Sequence, residues 1–158
     1  MIYIISRSFE MKITIRILCL IIFMMLVNYT NAQRDVNQDE IIGFACNYAG
    51  SPSETVLKYF KKLADKDYKW ISNQLSSNNN AERFMSVLSL EKLTDLNKYE
   101  LSEDELKLID KVKKSEGLVY VCSGCTYFES FSLNELFNDD MSTYGKEYLE
   151  RIINQIKD

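Results

Sequence analysis

The chain has 158 residues, of which 46% are apolar, 27% charged and 12% aromatic, and its formal net charge is −4. Five glycines and one proline are too few for a collagenous or low-complexity protein, and the apolar content is too high for a disordered one. The length is typical of one compact domain. Because the chain has no histidine, it cannot contain a Ser-His-Asp or Cys-His catalytic set, a His-rich metal site or a histidine pH switch.

The first 32 residues have the pattern of a secretory signal peptide. Lys12 and Arg16 precede an apolar run over residues 17–27. This run is shorter than the stretch of about 20 apolar residues that a membrane-spanning helix needs. Removal of the segment on export is therefore the main prediction, and an uncleaved membrane anchor is the alternative. The segment resembles the export signals of bacterial envelope proteins.

The expected cleavage site follows the apolar run. Thr30 and Ala32 are small residues at the −3 and −1 positions of a cut before Gln33. Met11 is an alternative start, because the ten residues before it add nothing that a signal peptide needs. We expect the protein to be exported, either to a periplasm or to the medium.

The charge of the remaining chain argues against two classes of partner. Residues 1–32 contain three basic residues and one acidic residue, so residues 33–158 have a formal net charge of −6. Nucleic acids and anionic membrane surfaces are bound through basic patches. We therefore expect no nucleic-acid partner and no stable membrane insertion after cleavage.

Residues 51–158 are predicted to form a single helical domain that follows an N-terminal segment, 33–50. Helix-capping residues and apolar spacing predict about five to six short helices. Leu57 and Leu106 lie on the predicted apolar faces of two of them. Leu118–Cys122 has the character of a strand, but one strand cannot form a sheet, so the predicted fold class is all-α. The predicted helical ranges are 52–65, a short helix capped by Asp67, 81–96 with Asn80 as its cap, one from Ser102 towards Gly117, a short one from Ser132, and about 144–157.

Residues 67–96 resemble one HEAT-type helical hairpin. Two predicted helices flank a polar turn, and the second begins with a small residue, then an arginine and a leucine-rich face. The resemblance covers about 30 residues, and no second copy follows at a fixed period. It implies protein–protein scaffolding, so the expected architecture is a HEAT-like hairpin or an irregular helical bundle. The residues that match the pattern are Ala81, Arg83, Leu88, Leu90 and Leu93.

Three cysteines remain after the predicted cleavage: Cys46, Cys122 and Cys125. Thiols tend to form disulfides outside the cytoplasm, so an odd number needs an explanation. We expect a bridge between Cys122 and Cys125, with Cys46 buried and free. A bridge from Cys46 to one of the other two is the alternative. In either case the predicted role is that of a structural staple.

The motif Cys122-Ser-Gly-Cys125 also has an enzymatic interpretation, as the site of a thiol–disulfide oxidoreductase. A thioredoxin-like fold needs further strands and a cis-proline facing the cysteines. Only 33 residues follow Cys125, and the single proline, Pro52, lies far upstream. Three thiolates without histidine also fall short of a four-ligand zinc site. We therefore expect no catalytic residues, no metal and no cofactor.

Aromatic residues crowd the cysteine motif, namely Tyr120, Tyr127 and Phe128, and Trp70 is a further large ring upstream. They have two interpretations: a binding surface, since tyrosine is favoured at interfaces, or core filling beside a disulfide. The main functional prediction is a small exported non-enzymatic protein that binds another protein. The alternatives are a thiol-active envelope protein and, more narrowly, an immunity or inhibitor protein directed against a secreted toxin.

Overall fold

The computed structural model describes residues 16, 18, 20, 37–46, 48–123 and 127–156. The chain divides into two units, Met1–Asp35 and Val36–Asp158. In the first unit Arg16, Leu18 and Leu20 are helical, and the rest of the predicted signal peptide, with its cleavage site, lies outside the described residues. Within the described part of the chain, no helix is both long and apolar enough to cross a membrane.

The second unit is mostly helical, which confirms the broad prediction. Its described residues also include three short 3-10 helices, at Gln38–Glu40, Tyr48–Gly50 and Gln74–Ser76. The six α-helices of this described part are α1 (Glu54–Ala64), α2 (Tyr68–Asn73), α3 (Asn80–Asp95), α4 (Glu103–Lys113), α5 (Leu133–Asn138) and α6 (Asp140–Gln155).

A three-stranded sheet makes the all-α prediction wrong. Its strands are β1 (Ile41–Ile42), β2 (Leu118–Ser123) and β3 (Tyr127–Ser132), in the order β1-β2-β3. β2 pairs with β1 in parallel and with β3 in antiparallel fashion. β1 has only two residues, which is too few to show the alternation of a strand. The aromatic residues of β3 do not alternate clearly with polar ones, so β2 alone has a recognisable strand pattern in the sequence.

The beginning of α1 holds β1 in place. The Ser53 side chain accepts a hydrogen bond from the Gly43 amide (3.2 Å) and donates one to the Ile41 carbonyl (3.0 Å). The Thr55 hydroxyl donates to the carbonyl of Asp39 (2.9 Å). Ser53 occupies the N-cap position of α1 but makes no side-chain capping bond, because its hydroxyl serves β1 instead. The segment predicted to precede the domain therefore contributes a strand to it.

The central element of the core is α3, which is buried on several sides. Tyr59 of α1 is also fully buried, and burial raises its pKa. Its hydroxyl lies 2.7 Å from both the Glu82 carbonyl and the Ser86 hydroxyl. Two leucines expected inside are instead exposed, Leu57 by 48% and Leu106 by 52%. The buried residues of α3 are Ala81, Phe84, Met85, Ser86, Val87, Leu88, Ser89, Leu90 and Leu93.

Local capping signals place most helix starts correctly. Asp67 caps α2, and the two Ser-x-x-Glu motifs beginning at Ser102 and Ser132 form complete capping boxes for α4 and α5. The cap of α3 is Asn79 and not Asn80, since the Asn79 side chain accepts hydrogen bonds from the backbone amides of Ala81 and Glu82. The last helix begins at Asp140, four residues before the predicted start.

Candidate functional sites

The structure joins Cys46 to Cys122 in a disulfide, with their Cα atoms 5.3 Å apart and a separation of 76 positions in sequence. This is the alternative pairing, and it overturns the expected Cys122–Cys125 bridge because Cys122 has only one sulfur to give. Cys125 lies outside the described residues. The bridge links the turn that follows β1 to β2. These two strands are distant in sequence but adjacent in the sheet.

The surroundings of this disulfide are those of a structural bond. Cys46 and Cys122 are 6% and 4% exposed, and they pack with Ile41 and the half-buried Tyr120. A Cβ atom at Gly43 would collide with Cys122 Sγ and lie 2.8 Å from Cys46 Sγ. Gly43 is therefore required by the sulfurs, a role that sequence reasoning missed because nothing placed residue 43 beside residue 122.

Trp70 is anchored in the helical layer. Its ring meets that of Tyr59 edge-on, with centroids 5.3 Å apart. The ammonium groups of Lys58 and Lys62 lie 5.0 and 5.1 Å from its centroid, within cation–π range. Trp70 therefore acts as a brace between α1 and α2.

Both of those lysines are also neutralised by carboxylates. Lys58 Nζ lies 2.6 Å from Glu82 Oε1, and Lys62 Nζ lies 2.7 Å from Asp67 Oδ2. Burial opposes ionisation of Glu82, but hydrogen bonds from Lys58 and Ser77 outweigh it, so its pKa lies below the ordinary value. The region around Trp70 is thus satisfied in charge.

Two of the aromatic residues considered for a binding surface, Tyr120 and Trp70, occupy different parts of the fold. Tyr120 packs on the disulfide, whereas Trp70 packs against the helical core. The side chains of Tyr127 and Phe128 lie outside the described part of the structure. For Tyr120 and Trp70 the observed packing is that of core filling.

A different aromatic surface is formed by Phe60, Tyr144, Tyr148 and Arg151, which we call the aromatic patch. The rings of Phe60 and Tyr148 stack, with centroids 5.5 Å apart and planes 9° from parallel. Tyr144 lies 6.3 Å from Tyr148 and is 44% exposed. The Arg151 guanidinium carbon lies 5.1 Å from the Tyr148 ring centroid. The sequence signal was the helical spacing of Tyr144, Tyr148 and Arg151, on one side of α6.

A buried ring supports the aromatic patch from below. Phe44, which is 3% exposed, lies 5.8 Å from Tyr144 and 5.4 Å from Tyr148 between ring centroids. Each tyrosine therefore contacts a ring beneath it as well as its neighbour. These contacts restrict the rotamers of the patch.

Glu91 is a largely buried carboxylate with a shifted pKa. Burial alone would raise its pKa, but hydrogen bonds and ion pairs with Lys113 and Lys146 outweigh that effect and lower it. Lys113 Nζ lies 2.5 Å from Oε1 and Lys146 Nζ lies 2.8 Å from Oε2. A carboxylate held ionised between two cations is a poor general base, and the cluster joins α3, α4 and α6 instead.

Glu105 is a second carboxylate whose pKa is lowered by its neighbours, here by neutral hydrogen-bond donors. Its partial burial opposes ionisation, yet hydrogen bonds from Ser72, Tyr99 and Ser102 lower its pKa to about 2. The Tyr99 hydroxyl donates at 2.6 Å, and the Ser102 amide and hydroxyl each donate at 2.8 Å. This arrangement ties α2 to α4. Within the described residues, no group of three or more cysteine or acidic side chains could hold a metal ion.

Comparison of the chain with sequence profiles of protein families, with characterised proteins and with solved structures gave no match. The HEAT-type resemblance of residues 67–96 therefore stays a prediction, and function has to be argued from the residues themselves.

Proposed function

We propose that this chain is a small exported protein that binds another protein, without catalysis, through the aromatic patch. The observation that carries the proposal is the exposure of Tyr144 and Arg151, each of which contacts the half-buried ring of Tyr148. Tyrosine and arginine are enriched among the residues that dominate binding energy at protein interfaces. Rings already held by their neighbours lose little side-chain entropy on binding.

The charge of the patch restricts the chemistry of the partner. Arg151 is exposed, and in the described part of the chain it has no carboxylate partner. A protein surface that offers an apolar ridge beside a carboxylate would cover the rings and neutralise the guanidinium. The fitting partner therefore has an acidic residue within an apolar patch, although this chain is itself acidic overall.

The disulfide supports the proposed location and the absence of redox catalysis. Disulfides persist in oxidising compartments such as the periplasm and the extracellular space. A catalytic disulfide must be reached by a substrate thiolate, whereas Cys46 and Cys122 are almost completely covered. These observations favour a structural bond in an exported protein over the thiol-active alternative.

Site-specific photo-crosslinking tests the proposal. A benzophenone amino acid is placed at Tyr144 or, as the control, at Leu106, which is similarly exposed but lies on α4. In envelope extracts of the source cells we expect one heterologous adduct of defined mass from position 144 and none from position 106. Tyr148→Ala, made together with the photoprobe at 144, should remove the adduct.

Two results would count against this function. Identical adducts from positions 144 and 106 would show that the patch has no selectivity. An adduct formed only with a second copy of this chain would replace the heterologous partner by self-association. An immunity or inhibitor role would follow only if the captured protein were itself a toxin.

The thiol-active alternative is tested separately, by the double variant Cys46→Ala/Cys122→Ala. A structural bridge that closes a loop of this length should contribute about 4 kcal/mol to the free energy of unfolding, measured with urea. The wild-type protein should not reduce insulin with dithiothreitol any faster than a buffer control. Insulin reduction that disappears in Cys122→Ser would overturn the structural assignment.

A further inference from the structure

A groove of about 400 Å³ separates the start of α3 from the second half of α4. The 3-10 turn Gln74–Ser76 forms its third side. Its volume falls in the range of small-molecule sites. The groove is distinct from the residues of the aromatic patch. Its lining residues are Leu75, Ser76, Ser77, Arg83, Leu108, Lys111, Val112 and Ser115.

Arg83 is a half-buried cation that lacks a counter-charge among the described residues. Its guanidinium donates to the amide oxygen of Asn80 at 2.9 Å, but an amide does not neutralise it. The neighbouring carboxylate, Glu82, is held by Lys58 and Ser77. A guanidinium has five donors, so most of its hydrogen-bonding capacity is left for something else.

Other half-buried cations of the chain are treated differently. Lys62, Lys92, Lys113 and Lys146 each form ion pairs with carboxylates. Arg83 also lies in the first turn of α3, where the helix dipole disfavours a positive charge. The charge of Arg83 is therefore destabilising in the free protein, and a bound anion would offset this unfavourable electrostatic energy.

Lys111 brings a second cation to the same groove. It is exposed, lies in the last turn of α4, and has no ion pair within the parts of the chain that the structure describes. Hydroxyl groups of Ser76 and Ser115 also line the groove. Two cations with nearby hydroxyls are the groups that bind carboxylate and phosphate oxygens.

The remaining wall of the groove is apolar. Leu75 and Val112 are each 1% exposed, and Leu108 is half-buried beside them. Of these three side chains only Leu108 is accessible, and it offers a small apolar surface for a short hydrocarbon chain attached to the anion. An inorganic ion alone would leave Leu108 uncovered.

We propose that this groove binds a small organic anion, a carboxylate or phosphate with a short apolar tail, through Arg83 and Lys111. The guanidinium of Arg83 binds the anionic group, Lys111 adds a second positive charge, and Leu108 contacts the tail. This site is independent of the protein-binding surface proposed above and does not rest on it.

Nuclear magnetic resonance titration of the ¹⁵N-labelled protein tests the site. The probes are sodium hexanoate, sodium acetate and inorganic phosphate, added at constant ionic strength and compared with sodium chloride. We expect saturable shifts confined to residues 75–77, 83 and 108–115. Hexanoate binding tighter than acetate binding would show that the apolar wall is used. Saturation by phosphate at lower concentration than hexanoate would instead assign a phosphate-bearing ligand.

Variants separate a built site from general charge attraction. Arg83→Gln should weaken binding about tenfold, because a bidentate charge-assisted contact is lost. Lys111→Gln should weaken it less. Lys69→Gln, the matched control, removes an exposed lysine from α2 and should leave binding unchanged. If Arg83→Gln does not fold, Arg83→Lys is the substitute test. It keeps the charge but loses the planar guanidinium, so it should bind more weakly than the wild type.

Three results would overturn the proposal. The first is a set of shifts that do not saturate or that spread over the whole surface. The second is equal binding by the wild-type protein and a folded Arg83→Gln variant. The third is loss of binding in Lys69→Gln to the same degree as in Arg83→Gln. Tyr148→Ala in the aromatic patch should leave all titrations unchanged, so the two proposals fail separately.

Discussion

Two charged residues of α3 have opposite environments. Glu91, in the second half of the helix, lies between the ammonium groups of Lys113 and Lys146. Arg83, in the first turn, has only an amide oxygen as its hydrogen-bond acceptor in the described structure. Both side chains are partly buried, so both have lost part of their hydration. Only for Glu91 does the protein replace the lost hydration, with two ammonium groups.

The contrast separates a charge that stabilises the fold from one that is available to a ligand. A buried charge is costly unless counter-charges and hydrogen bonds replace water. At Glu91 the fold supplies two counter-charges, so its removal should damage stability. At Arg83 the fold supplies little, so its removal should affect binding and leave stability nearly unchanged.

Between the two charges of α3, the larger effect on stability is expected from Glu91→Gln, which removes the carboxylate that is paired. It leaves the two lysines facing each other without a counter-charge, and we expect a loss of about 2–3 kcal/mol in the free energy of unfolding. Urea denaturation at pH 7 measures it. Glu147→Gln on the exposed side of α6 is the control and should change little. Equal stability of the two variants would mean that the ion pairs hold nothing together.

A smaller effect is expected from Glu105→Gln, because neutral donors and no ammonium group hold this carboxylate. Allowing for its partial exposure to solvent, we expect a loss of about 1 kcal/mol. Glu135→Gln is the matched variant, since Glu135 has the same position in a capping box but, among the described residues, receives hydrogen bonds from Ser132 alone. It should lose less. A larger loss in Glu135→Gln would show that the contacts of Ser72 and Tyr99 with Glu105 add no stability.

The contribution of Glu105 should depend on pH in a defined direction. The pKa of its carboxyl is about 2 in the folded protein, against an ordinary value of 4.5. A group whose pKa is lowered on folding stabilises the protein above the unfolded-state pKa and loses this effect as the pH falls through the folded-state pKa. The difference in unfolding free energy between the wild type and Glu105→Gln should therefore shrink from pH 5 towards pH 2. Urea titrations across that range measure it, and a constant difference would contradict the assignment.

The smallest effect on stability is expected from Arg83→Gln, which sharpens the other side of the comparison. We expect the free energy of unfolding to stay within about 0.5 kcal/mol of the wild type, as for a surface substitution that removes no essential contact. Relief of the unfavourable dipole interaction offsets the lost bond to Asn80. Urea denaturation at pH 7 measures it. A loss as large as that of Glu91→Gln would make Arg83 a structural residue and remove the basis of the anion site.

Local sequence signals predicted the helices well. Asp67, Ser102 and Ser132 are caps in the structure as predicted, because a capping bond joins residues two or three positions apart. Buried faces were less accurate. The spacing of α1 placed Leu57 inside, whereas the fold buries Tyr59, whose hydroxyl finds partners on α3.

The candidate sites were harder to predict, because they join residues that are distant in sequence. The disulfide pairs residues 76 positions apart, and the nearer Cys125 was the more plausible partner from spacing alone. Tyr144 and Arg151 gave a helical pattern but no indication that Phe60 of α1 would complete the patch. The groove around Arg83 needs α4 as its second wall, and no short sequence motif predicts that α4 lies beside Arg83.

The sequence by itself determined the mostly helical character, the positions of most helix starts and the exclusion of histidine chemistry. These properties depend on composition and on contacts within one or two turns of chain. Tertiary structure alone decided which cysteines pair, which carboxylates gain counter-charges and which of the described cations lack one. Those outcomes depend on which distant elements become neighbours, and that is set by burial of the whole core and not by any single segment.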